Sequence, residues 1–194
     1  MNPAEPVSLD RMVSAVEKVR ERLLKMARAL KAAGVPYAVV GGNAVAAWVS
    51  TVDEAAVRNT RDVDVLVRRQ DFDHLRVALE REGFSYRHVA NLDVFLDSPT
   101  SSPRDAVHLV FAGEMVREFE PAPNPDVSES VQTEHFSVIS LEGLVKIKLT
   151  AFRDKDRTHL RDLIEVGLLD PSWMQKLEPE LGRRLQLLLD DPLG

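Results

Sequence analysis

The stretch RNTRDVDVLVR, from Arg58 to Arg68, carries two carboxylates two residues apart in a run of Val and Leu. A strand alternates its side chains between faces, so Asp62 and Asp64 point to one side, roughly 6 to 7 Å apart at Cα. Like charges held that close repel unless something cationic lies between them. Solvated acids on the outer face of an edge strand would also fit the spacing, but Val63, Val65, Leu66 and Val67 make the run too apolar for an exposed edge. With no cysteine in the chain, a metal reading specifies a hard cation, Mg²⁺ or Mn²⁺, completed by water and phosphate oxygens.

VVGGNAVAAW, from Val39 to Trp48, supplies what such a cation would need beside it. A short apolar strand runs into Gly41 and Gly42, then into Asn43 and an alanine-rich helix. Paired glycines between strand and helix let the backbone approach a phosphate closely, although they also serve as ordinary turn residues. Arg58 is either a phosphate clamp, through its guanidinium fork, or a surface arginine in a polar loop. Thr60 could orient Asp62 or the loop.

The elements that must hold these residues are legible in the periodicity. Met12, Val16, Val19, Leu23, Ala27 and Leu30 recur every three or four residues, an amphipathic helix ending at the AAG of residues 32–34. PYAVV reads as a strand, residues 50–61 as a polar loop, VDVLV as a strand, and QDFDHLRVALEREG as a helix closed by Gly83. LDVFL and AVHLVF are further strands. EPAPNPDVSES, from Glu120, reads as a surface connection, and FSVIS after it as a strand. Beyond Leu141 the chain reads as largely helical, broken at Pro171 and Pro179. The fold class is α/β (α+β), with a core over residues 1–125 that includes the N-terminal helix and a mainly helical region over 126–194 packed on it. Trp48 and Trp173, without aromatic neighbours, read as core or subunit contacts.

Strand, GG, short helix, loop and acid-x-acid strand resemble the nucleotidyltransferase superfamily with the DNA polymerase beta fold. GGNA at residues 41–44 and RNTRDVDVLV at residues 58–67 match its first two motifs. The resemblance implies a mixed sheet flanked by helices and a reaction moving an NMP group from an NTP to an acceptor hydroxyl, with Mg²⁺ or Mn²⁺ as cofactor. It also implies that Gly41, Gly42 and Asn43 meet the nucleotide and that Asp62 and Asp64 hold the metal. KLTAFRDKDRTHLRDL, at residues 148–163, is similar to the C-terminal signature of abortive-infection type nucleotidyltransferase toxins, with Lys148, Ala151, Arg153, Lys155 and Asp156 fitting it. His159 stands where that signature has a second Asp. On this resemblance Lys148 neutralises the triphosphate and Asp156 positions the acceptor.

If the helix through Lys148 is continuous, Lys148, Lys155, His159 and Asp162 form one polar stripe; alternatively DKDR breaks it and starts a new helix capped by Asp154 or Asp156. The family usually adds a third carboxylate on a following strand. AVHLVF is the candidate strand, and His108 occupies the expected position, either as a proton acceptor or as a hydrogen-bonded core histidine. Asp93 is the alternative if the strands align differently.

Composition bounds the partners. The 194-residue chain carries a net charge of −6, which argues against a broad nucleic-acid-coating surface while leaving room for a local grip on an RNA end. No run approaches the ~20 apolar residues of a membrane span and no signal peptide is evident, so a cytoplasmic protein is expected. Three functions follow: a transferase acting on an RNA end such as tRNA or on a protein, as the toxin of a toxin–antitoxin pair; an NTP-binding regulatory module with little or no catalysis; and an aminoglycoside- or lincosamide-type enzyme.

Overall fold

Short, nearly continuous apolar runs, buried on both faces, build the centre of the molecule. The computed structural model describes residues 8–99, 101–102 and 105–191. They form six α-helices and one mixed seven-stranded sheet: α1 (Leu9–Ala32), β1 (Tyr37–Val40), α2 (Gly41–Val49), β2 (Val63–Val67), α3 (Phe72–Arg81), β3 (Ser85–Val89), β4 (Leu92–Leu96), β5 (Ala106–Phe111), β6 (Ser130–Gln132), β7 (Ser137–Ile139), α4 (Leu141–Ala151), α5 (Asp154–Glu165) and α6 (Pro179–Asp190). The strand order is β3-β4-β5-β2-β1-β7-β6, with β1–β7 and β2–β5 parallel and the remaining neighbours antiparallel.

Both faces of the sheet are covered. Val39, Val65, Val67, Val107 and Leu109 pack with Leu23, Met26 and Leu30 of α1 and Leu75 and Leu79 of α3. Ala38, Val40 and Leu66 face the other way, against residues of α2, α4, α5 and α6. Burying one such Val or Leu contributes about 1.5–3 kcal/mol, so register is strongly specified at the centre. A slip of one residue would turn Asp64 into the core and Val65 out of it. Only the second half of the α1 stripe is used this way: Leu23, Ala27 and Leu30 are buried, whereas Met12 and Val16 are exposed.

Two strands escaped the pattern. β3, SYRHV, is an edge strand whose charged residues lie in solvent, and a polar edge carries no hydrophobic alternation to detect. Its turn to β4 is made by Ala90 and Asn91, both left-handed, in place of the Asn-Gly pair that announces such turns. β6 is three residues long and outermost on the other side. β6 and β7 carry the sheet past residue 125, with Val138 of β7 beside Val39 of β1.

Of the two readings of the stretch through Lys148, the structure takes the broken helix. Phe152 takes a left-handed conformation (φ 46°) and ends α4, and α5 starts at Asp154. Asp156, not Asp154, holds the new N-terminus by accepting from the Arg153 amide. The last carbonyls of α4 are satisfied by Arg184 of α6, whose Nη1 donates to Leu149 and Thr150 at 2.8 and 2.7 Å. Among the described residues no helix is long and apolar enough to cross a membrane.

Candidate active site

Asp62 lies one residue before β2, and Asp64 lies within it. Asp64 is in register with Val40 of β1 on one side and with His108 of β5 on the other. Paired residues share a face, so the three side chains converge on the face covered by α2 and the C-terminal helices. His108 Nδ1 is 3.5 Å from Asp64 Oδ1 and 3.8 Å from Asp62 Oδ2. One ligand atom from each of Asp62, Asp64 and His108 can be chosen so that all lie within 4.8 Å of one another. Two carboxylate oxygens and an imidazole nitrogen at that spacing fit a single divalent cation, and the nitrogen moves the preference from Mg²⁺ toward Mn²⁺ and its first-row neighbours.

The register also decides between His108 and Asp93. Val94 is opposite His108, so Asp93 points to the other face, where it accepts from the Tyr86 hydroxyl at 2.7 Å and pairs with His88. The third position of the cluster is therefore His108.

Asp62 is held from several directions. The Thr60 hydroxyl donates to Oδ1 at 2.7 Å, Asn43 Nδ2 donates to its main-chain carbonyl at 2.8 Å, and Lys155 Nζ stands 3.5 Å from Oδ1. Burial pushes the Asp62 carboxyl up, but Thr60, Lys155 and His108 together bring it below the usual range, so it is charged at neutral pH. Behind it, Arg22 of α1 donates to the Arg61 carbonyl at 3.1 Å and to Asp97, fixing the chain that enters β2. That arginine sits on the apolar stripe of α1, one residue before Leu23, the sequence signal that could have found it.

The glycine pair has a use beyond turning. Gly41 is left-handed (φ 65°), and a Cβ there would run into the Asp64 carboxylate. A Cβ on Gly42 would come within 2.9 Å of Thr60 Cβ. The space that two missing side chains leave is filled by Asp64 and by Thr60, which orients Asp62. Gly41 also opens α2, whose N-terminus has no side-chain cap and so presents its first amides beside Asp64.

The C-terminal residues divide into two groups. Lys148 is buried, with Nζ 2.9 Å from Asp156 Oδ1, and Arg153 Nε donates to the other oxygen at 2.7 Å. Burial raises the Asp156 carboxyl, yet Arg153 and Lys148 outweigh it and hold it below the carboxylate range. Arg58 Nε donates to Asp162 at 2.9 Å. Lys155 and His159 instead line an open cleft of about 560 Å³ with Asn59, Thr60, Asp62 and His108. Sequence reasoning set both on the polar stripe without giving either a role.

His159 is buried, and burial, followed by Lys148 and Lys155, lowers its imidazole from 6.5 to about 4. Unfolding exposes it to protonation between those values, so stability rises with pH across the window. Its contribution is complete above 6.5 and lost as pH falls toward 4, at a cost of about 3 kcal/mol. Urea unfolding at pH 7 and pH 4 should give a drop about 3 kcal/mol larger in the wild type than in His159→Gln; equal drops would mean the ring is not held neutral.

Residues 9–141 match the sequence profile of a family described as uncharacterised nucleotidyltransferase. The chain belongs to this nucleotidyltransferase family. No curated protein matches it significantly. Among solved structures, an antigenic nucleotidyltransferase-like protein from Paracoccidioides brasiliensis is 20% identical, with a TM-score of 0.58 over 92% of this chain and 90% of that one. The antibiotic-resistance factor ANT(2'')-Ia is 12% identical (TM-score 0.51, 93% and 92% covered), and JHP933 from Helicobacter pylori is 16% identical (TM-score 0.50, 96% and 77% covered). At these identities the likeness is one of fold, and it agrees with the mixed sheet and flanking helices described above.

Proposed function

We propose that this nucleotidyltransferase-family chain is an active Mg²⁺- or Mn²⁺-dependent enzyme that moves an NMP group from an NTP to an acceptor hydroxyl. The observation that carries the reading is the convergence of Asp62, Asp64 and His108 beside the uncapped N-terminus of α2. A bound divalent cation would lower the charge on the α-phosphate and on the departing pyrophosphate. The chain supplies the rest. Amides at the start of α2 receive the triphosphate, and Thr60 and Asn43 hold Asp62 in orientation. The acceptor oxygen forms a bond to the α-phosphorus while the bond to the bridging oxygen breaks, and pyrophosphate leaves with the electron pair. The hydroxyl proton passes to water, because an imidazole that holds the cation through one nitrogen carries its own proton on the other.

Lys148 and Asp156, expected from the resemblance to touch substrate, act in this reading as a positioning pair that fixes the start of α5 and thereby Lys155. Lys155 takes the phosphate-neutralising part, and Arg58, with an exposed guanidinium, remains a candidate clamp. The toxin subtype and an antitoxin partner rest on the similarity of residues 148–163 to the abortive-infection signature alone. His108 in place of a third acid favours a second reading, an NTP-binding module with slow chemistry. Incubation with each α-labelled NTP, total RNA, and Mg²⁺ or Mn²⁺ in turn separates the two: label should move to acceptor with wild type and not with Asp62→Asn, whereas binding of NTP without transfer under every condition would establish the module.

A further inference from the structure

Sheet order gives the metal cluster two unlike flanks. On one side of Asp64 lie β1 and the uncapped start of α2; on the other lie β5, β4 and the β3–β4 hairpin. The open cleft occupies the second flank, between that hairpin and α5, with Asp62 and His108 at its inner end. In-line displacement at phosphorus requires the attacking oxygen and the leaving pyrophosphate on opposite sides of the α-phosphate. We propose that this cleft is the acceptor subsite and that it takes the terminal nucleotide of an RNA strand; the proposal rests on the transferase reading above.

Its lining carries the choice of acceptor. Val89, Ala90, Leu92 and Val94 form an aliphatic wall, and Val89 and Leu92 are exposed there although the fold gains nothing from exposing them. Such a wall accepts the flat face of a base. The cationic side chains are Arg61 and Lys155, both more than half exposed and suited to strand phosphates. Among the described residues Asp62 is the one carboxylate in the lining, and it is committed to the metal. A polycationic acceptor would thus meet Arg61 and Lys155, and the acids beside them, Asp105 and Asp62, are already paired with these two cations. The volume, about 560 Å³, is that of a pocket for one small ligand. His159 adds an independent sign: its side chain lines the cleft, is nine-tenths buried, and leaves Nδ1 without a hydrogen-bond partner among the described residues. Nδ1 itself has no contact with solvent, so a base edge or ribose hydroxyl would pair with it only on a turn of the ring.

The test measures binding without turnover, on the full chain with Mg²⁺. Anisotropy of a short fluorescein-labelled single-stranded RNA gives acceptor affinity, and calorimetric titration with a non-hydrolysable NTP gives donor affinity. Leu92→Glu places a carboxylate on an exposed hairpin position where folding tolerates it. It should weaken RNA binding about tenfold or more and leave NTP affinity within about twofold, and His159→Gln should weaken RNA binding in the same direction. Kanamycin, as the polycationic probe, should neither saturate nor displace the RNA. The acceptor assignment is overturned if Leu92→Glu leaves RNA affinity unchanged, if it lowers NTP affinity by the same factor, which would make the cleft a pocket for the NTP base, or if kanamycin displaces the RNA. Absence of NTP binding by the wild type would sink the transferase reading itself, a separate result.

Discussion

Asp64→Ala is expected to lower nucleotidyl transfer by about a thousandfold or more while leaving the melting temperature equal or raised. The rate falls because the cation site loses a charged oxygen whose effect on the transition state is worth several kcal/mol. Stability holds because the substitution removes one of two like charges that share a face of the sheet. Gly41→Ala should reproduce the loss from the other side: its Cβ would occupy the space of the Asp64 carboxylate and drive it out of the cluster. The left-handed backbone adds about 1–2 kcal/mol of strain, so this variant should also melt earlier. Label transfer and thermal unfolding on both variants check the pair. Retained activity with a lowered melting temperature in Asp64→Ala would make the acids structural.

Asp156→Ala is expected to destabilise the fold by about 3–5 kcal/mol, the usual cost of removing one partner from a buried ion pair. Asp156 is fully buried and Lys148 nearly so, and the truncation strands the Lys148 ammonium while also removing the acceptor for the Arg153 amide. Replacing Lys148 by Met and Asp156 by Leu together should recover much of the loss, since Arg153 is exposed enough to turn into solvent. Urea unfolding without any ligand reads both effects. A variant that unfolds like the wild type yet fails in catalysis would return Asp156 to direct contact with substrate.

The sequence by itself determined most of the elements and marked the residues of the candidate site. Short, nearly continuous apolar runs reported β1, β2, β4, β5 and β7, and apolar residues every three or four reported α1, because burial leaves a pattern. VDVLV and VVGG marked the carboxylates and the turn before any fold was known, since their residue types are costly in an apolar strand without a purpose. Edges left no such trace: β3 and β6 are polar or short, and solvent accepts almost any residue there. What remained for tertiary structure was which residues meet. Parallel pairing of β2 with β5 selected His108 over Asp93 as the third group. A left-handed Phe152 split the C-terminal helix, burying Lys148 against Asp156 and turning Lys155 toward Asp62. Asp64 and His108 are 44 positions apart and Asp62 and Lys155 are 93 apart, and no local spacing encodes such separations; register and packing of the whole sheet decide them.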